Sequence, residues 1–192
     1  MSQLHDQYLL FRVIVKRDAE AFARLYDRYV VAIYRFVYVK VPSKEIAEDV
    51  TSEVFLRCWQ YLAERKRVSH FRGLLYRIAR NLVADHYRKT GKTIPSFDQL
   101  VTFSSDPTSS SLPDPSDQGR GAGKLIYQAE LSLLLTKIAR LKEDYQDVLT
   151  LRLIEELSFG DIALILEKTT GHVRVIYHRA MKALDRETGE RE

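Results

Sequence analysis

The chain has 192 residues, with 30 Lys and Arg against 26 Asp and Glu, and a single cysteine. That size and composition fit one or two soluble domains and exclude an internal disulfide framework and any multi-cysteine metal site. No apolar run reaches membrane-spanning length, because Arg12 and Lys16 interrupt YLLFRVIVK, and the start MSQLHDQ lacks the features of a signal peptide. A cytoplasmic protein is expected, with no membrane association.

In chain order, almost everything outside the middle of the chain reads as helix. Asp18 is placed to cap a helix in which Phe22, Leu25, Tyr26, Tyr29, Ile33 and Val37 recur at helical spacing. Val41, Pro42 and Ser43 end it. Ser43 caps the next helix, whose apolar stripe is Ile46, Val50, Val54, Cys58 and Leu62. Ser69 is the expected cap of a third, with Phe71, Leu74, Leu75, Ile78, Ala79, Leu82 and Val83 turned inward. Residues 96–118 then carry four aspartates and no Lys or Arg. Their Ser, Pro and Asp content cannot bury a core, and Gly119, Gly121 and Gly123 extend the break. Phe97, Leu100, Val101 and Phe103 are candidate anchors within it. Helices resume near Lys124, with Leu131, Leu134, Leu135, Ile138 and Leu141 on one stripe. Tyr145, Val148, Leu149 and Arg152 begin another. The expected fold is all-α: two small helical domains, 1–89 and 124–192, joined by a flexible acidic linker, 90–123.

Charge is segregated along the chain. Residues 61–90 hold eight Lys and Arg against two acidic residues, whereas residues 43–56 hold one Lys against four. Two surfaces of opposite sign point to two kinds of partner. Solvated helix faces are the plainer reading of either patch alone.

Near the C-terminus the apolar run Ile162, Ala163, Ile165 and Leu166 stops at Glu167, Lys168, Thr169, Thr170 and Gly171. Apolar spacing resumes at Val173, Tyr177, Ala180 and Leu184, now among His172, Arg174, His178, Arg179 and Lys182. Two helices joined by a short turn, the second one basic, form a helix-turn-helix pattern. At about 100° per residue, burying Val173, Tyr177, Ala180 and Leu184 leaves Gly171, Arg174, Val175, His178 and Lys182 facing away. Thr169 is the expected cap of this second helix. An apolar Val175 on that outer face would meet either a thymine methyl in the major groove or another protein.

Taken together, these stretches resemble a bacterial RNA polymerase sigma factor of the extracytoplasmic-function (ECF) type. DAEAFARLYDRYVVAIYRFV (18–37), EIAEDVTSEVFLRCW (45–59) and FRGLLYRIARNLVADHYRK (71–89) resemble the promoter-melting domain, region 2. Residues 135–184 resemble the −35-binding domain, region 4. The resemblance implies binding to core RNA polymerase and promoter DNA. The acidic helix, through Glu48, Asp49, Glu53 and Phe55, would dock on the clamp helices of the largest subunit, and region 4 on the flap of the second-largest. Arg67, Phe71, Tyr76, Arg77, Arg80, Asn81 and Arg88 would capture the melted −10 strand. Thr170, Gly171, His172, Arg174, Val175, His178, Arg179 and Lys182 would read the −35 element. An anti-sigma factor is a further implied partner. No cofactor is implied.

The residue types agree with this: unstacked bases need aromatic or guanidinium faces and cations along the backbone. Phe71 and Tyr76 could equally be core. Leu74 stands where many relatives have Trp, Ser52 where Gln is frequent, Lys142 where Pro is usual and Glu167 where the turn often has Gly. Val175 and Ile176 replace a common Ser-Arg pair, and Ile176, about 60° from the buried pole, is a candidate to widen the buried stripe. An enzyme is not expected: there is no glycine-rich phosphate loop, and His5, His70, His86, His172 and His178 show no ligand spacing. The remaining alternative is a helix-turn-helix regulator that acts without polymerase.

Overall fold

The computed structural model describes residues 2–64, 68, 70–90 and 122–189. Arg67, Ser69 and nearly all of the expected linker, residues 91–121, lie outside the described residues. Among the described residues all regular structure is helical, and no helix is long and apolar enough to cross a membrane.

The N-terminal half is four helices: α1 (Ser2–Lys16), α2 (Ala19–Tyr38), α3 (Lys44–Ala63) and α4 (Phe71–Thr90). Asp18 caps α2, its Oδ1 accepting from the Ala21 N–H at 3.0 Å. Ser43 caps α3 through the Ile46 N–H at 3.3 Å. The side chain that caps α4 is His70, whose Nδ1 accepts the Gly73 N–H at 3.0 Å. Gly73 permits this close approach, since a Cβ there would stand 2.7 Å from His70 Nδ1. The apolar stripes converge as their spacing requires: Leu25, Ile33, Val54, Cys58, Leu62, Leu75 and Ala79 are all fully enclosed. Each large side chain so buried contributes roughly 1.5–3 kcal/mol. Edge-on aromatic pairs, Phe22 on Trp59 and Tyr26 on Phe55, close the outer end of the α2–α3 contact.

Helix α1 is tied to this core by Asp6, which accepts from the Arg28 guanidinium and the Tyr29 hydroxyl. Burial, with the Asp6 bond second, pushes the Tyr29 phenol up to about 12.

The C-terminal half comprises α5 (Ala122–Ala139), α6 (Glu143–Leu149), α7 (Phe159–Leu166) and α8 (Thr170–Gly189). Helix α6 runs on through one π-helical turn, Thr150–Ile154. The Gln146 amide donates to the carbonyls of Ala139 and Leu141, both at 2.9 Å, and so pins the α5–α6 turn. Ser158 caps α7 and Thr169 caps α8, the latter by accepting the His172 N–H at 3.2 Å. The α7–α8 turn is made by Glu167 in the left-handed region, φ 54° and ψ 41°. A non-glycine residue there carries a backbone cost of about 1–2 kcal/mol.

The two halves share one apolar core. Val148, Leu151, Leu157, Ile162, Ile165 and Val173 belong to the same buried cluster as the α1–α4 interior, and Val39 is buried with Leu131 and Leu135 of α5. The most extensive packing between the halves is that of α7 on α4.

Candidate nucleic-acid and polymerase interfaces

Helix α8 presents the face its periodicity predicts. Val173, Ile176, Ala180 and Leu184 are buried. Gly171, His172, Arg174, Val175, His178, Arg179 and Lys182 are exposed, and Thr170 is half-buried at the first turn. Ile176 therefore widens the core stripe, while Val175 stands 48% exposed among charged neighbours. The Arg174 guanidinium lies 5.8 Å from the centre of the Phe159 ring, which in turn packs edge-on against Tyr177. That contact orients the arginine from the N-terminal end of α7. The capped N-terminus and the cations beside it form an anion-attracting surface suited to a phosphate backbone.

Helix α4 is arranged differently. Phe71 is 5% and Tyr76 1% exposed. Phe71 packs edge-on against Tyr29, and Tyr76 against Phe36. Their rings support the helix from beneath and offer no free face to a base in this conformation. Burial also drives the Tyr76 phenol well above its ordinary value. Asn81 and Arg88 are exposed, with Arg88 Nη1 3.2 Å from Asp85. Arg77 and Arg80 reach across to the other half: Arg77 Nη1 lies 3.8 Å from Glu167, and Arg80 Nε 3.1 Å from Asp147.

The acidic face of α3 is open. Glu48 and Asp49 are exposed and Glu53 is half-exposed, its carboxylate accepting from Arg57 Nε at 2.7 Å. Phe55 points inward, 3% exposed, beneath Phe22 and Tyr26. The apolar side chain that this face displays is Leu56, 51% exposed. At about 100° per residue it lies in the middle of the arc formed by Glu48, Asp49, Ser52 and Glu53. Its exposed position at the centre of a charged arc is the signal that could have singled it out.

Sequence reasoning also missed the polar groups between the halves. Asp147 is fully enclosed, with Lys40 Nζ 2.7 Å away and Lys40 itself 3% exposed. Arg35 faces Glu155 at 3.9 Å. Burial raises the Glu155 carboxyl, opposed by Arg35 and Arg72. A raised carboxyl favours folding most at acid pH, and that contribution is lost as pH rises through its folded value. In the sequence these acids look like any solvated helix face; only packing makes them interior.

Comparison with known proteins agrees with this architecture. Residues 25–93 match the family model for Sigma-70 region 2, and residues 131–184 that for Sigma-70, region 4. The chain belongs to the ECF RNA polymerase sigma factors, which direct promoter-specific transcription; a regulator acting without polymerase is not favoured. It is 32% identical to the ECF RNA polymerase sigma-E factor of Escherichia coli (strain K12) over 96% of this chain and 94% of that protein. It is 30% identical to the ECF sigma factor SigW of Bacillus subtilis over 89% and 90%. BldN of Streptomyces coelicolor is 32% identical over 88% of this chain, which spans 61% of that longer relative. A solved structure of CnrH in complex with the cytosolic domain of CnrY superposes with a TM-score of 0.68 at 20% identity, covering 98% and 99% of the two chains, and supports the fold.

Proposed function

We propose that residues 1–89 and 124–192 divide promoter recognition between them, with 90–123 as the tether. Helix α8 reads the −35 duplex through Arg174, Val175, His178, Arg179 and Lys182, with Thr170, Gly171 and His172 at its N-terminus. Helix α4 captures the melted −10 strand through Arg77, Arg80, Asn81 and Arg88, together with Arg67 before it. Phe71 and Tyr76 are assigned to holding that helix in place. The acidic face of α3, Glu48, Asp49 and Glu53 around Leu56, docks on the clamp helices of core polymerase, and the C-terminal half on the flap. The protein acts in the cytoplasm, catalyses no reaction itself and is subject to an anti-sigma factor.

The observation that carries this reading is the opposition of two neighbouring helices. Helix α3 exposes carboxylates around one apolar side chain, and α4 gathers cations toward a common edge. A duplex-binding domain alone needs neither.

The test is run-off transcription with core polymerase on promoters selected from a random library. Arg77→Ala with Asn81→Ala is preferred to any Arg80 variant, because Arg80 pairs with the fully buried Asp147 whereas the Arg77–Glu167 pair is exposed. The double variant should bind core normally and initiate about tenfold less from closed promoters, as expected from losing hydrogen bonds to charged groups worth roughly 1.5–3 kcal/mol. A pre-melted bubble should restore most activity. Loss of core binding would show α4 to be structural instead.

A further inference from the structure

We infer that Phe159 sets the base specificity of the −35 contact: its ring holds the Arg174 guanidinium so that the arginine's donor edge meets one base pair. Phe159 is thus a positioning residue that acts through Arg174. This inference rests on the proposed role of α8.

Phe159 is the first residue of α7, and its ring is half-buried. Three side chains converge on that ring. The Arg174 guanidinium lies 5.8 Å from its centre, and that of Arg152, from the π-helical turn, lies 4.9 Å from it. Tyr177 of α8 meets the ring edge-on at 5.3 Å. Arg152 also fixes the backbone leading into the ring, its Nη1 donating to the Leu157 carbonyl at 2.8 Å. Ser158, between Leu157 and Phe159, caps α7 through the Asp161 N–H at 3.1 Å. The ring is therefore held from the π-helical turn, from its own helix cap and from α8.

A ring steadies an arginine differently from a carboxylate. A guanidinium is planar, and its five N–H donors point outward in that plane. An acidic partner takes those donors, as the Glu53 carboxylate does at Arg57. An aromatic face attracts the charge and leaves the donors unused. Among the described residues no carboxylate pairs with Arg174. Its donors stay available to the groove while its position is restricted. Base reading by arginine needs this, because two parallel N–H bonds to one base edge require an aligned plane. Arg174 stands in the first turns of the second helix of the motif, where base edges are reached. An unrestrained arginine there would meet phosphates at least as readily, without reading sequence. Holding it beforehand lowers the ordering cost of the base contact alone.

The test uses holoenzyme, the full chain bound to core polymerase, on selected promoters whose −35 base pairs are replaced one at a time. Phe159→Leu keeps an apolar side chain and removes the ring. It should lower discrimination at a single base pair about two- to fivefold, as expected for losing an exposed cation–ring contact. Discrimination at the other positions and the salt dependence of binding should not change. Phe159→Tyr keeps the ring and should discriminate as the wild type does. Arg174→Ala should lose about tenfold at that same base pair, and adding Phe159→Leu to it should lose nothing more there. Phe159→Met takes the place of the leucine variant if that does not fold. An equal loss at every position, or a changed salt dependence, would show a ring that only supports the fold and overturns the inference. A Phe159→Leu loss that persists beside Arg174→Ala also overturns it. So does unchanged discrimination in Phe159→Leu while Arg174→Ala loses it, and the proposed role of α8 then stands. If Arg174→Ala alters discrimination nowhere, the base-reading role of Arg174 fails and the inference falls with it.

Discussion

Helices α4 and α8 invite comparison. Both are 20 residues long, begin beside a side-chain cap and carry cations along their length. Helix α8 buries a narrow stripe, Val173, Ile176, Ala180 and Leu184, and leaves Gly171, His172, Arg174, Val175, His178, Arg179 and Lys182 exposed. Helix α4 buries a far wider arc, from Phe71, Leu74, Leu75 and Tyr76 to Ala79, Leu82, Val83 and Tyr87. It serves its own domain on one side and meets α7 on another. Basic character alone therefore does not make a helix accessible. The width of the apolar arc, and what covers it, decides whether its cations face water or carboxylates.

The core of the N-terminal half is tightly closed, and that closure can be measured. Cys58 reports on this. It is fully buried, and burial pushes its thiol up to about 12. Because the thiolate is the reactive form, alkylation near pH 8 should be slower by about a thousandfold than in denatured chain. Equal rates in folded and denatured chain would show that this core opens readily.

The α7–α8 turn sharpens the contrast further. Glu167 carries a left-handed backbone, and its carboxylate faces Arg77 across the seam. Both side chains are largely exposed, so the pair itself contributes little. Glu167→Gly should raise stability by about 1 kcal/mol in chemical denaturation, by relieving the backbone. It should also slightly increase strand binding by freeing Arg77. A loss of stability would show that the ion pair outweighs the strain.

The smallest expected effect lies on the open helix. Val175 is exposed where an ordinary solvated face would carry a polar residue. Contact with a thymine methyl is worth roughly 0.8 kcal/mol, about fourfold in affinity. Uracil substituted for thymine, one position at a time in the −35 element, should weaken wild-type binding at one site. Val175→Ser should be indifferent there. If no uracil substitution matters, Val175 meets a protein and not a base.

Much of the architecture was legible because helical spacing and capping are local. Asp18, Ser43 and Thr169 cap the helices their positions announce. The outward set on α8 follows from 100° steps away from Val173. At Glu167, where the turn of many relatives has Gly, the chain accepts a positive φ. Legibility failed where one residue type serves two environments. Phe71 and Tyr76 are suited to stacking on bases and to filling a core, and neighbours on α2 take both rings. Phe55 and Leu56 are adjacent apolar residues, and only the packing of α2 on α3 sends the first inward and leaves the second exposed.

By itself, then, the sequence determined the helices, the caps of α2, α3 and α8, the opposite charges of α3 and α4, and the turn between α7 and α8. These follow from backbone hydrogen bonding and apolar periodicity within a few residues. Tertiary structure alone decided that Asp147 lies 2.7 Å from Lys40 and 3.1 Å from Arg80, more than 60 residues away in the chain. No local pattern distinguishes a carboxylate bound for solvent from one bound for a sealed seam, because the difference lies in the low-dielectric surroundings that distant segments create.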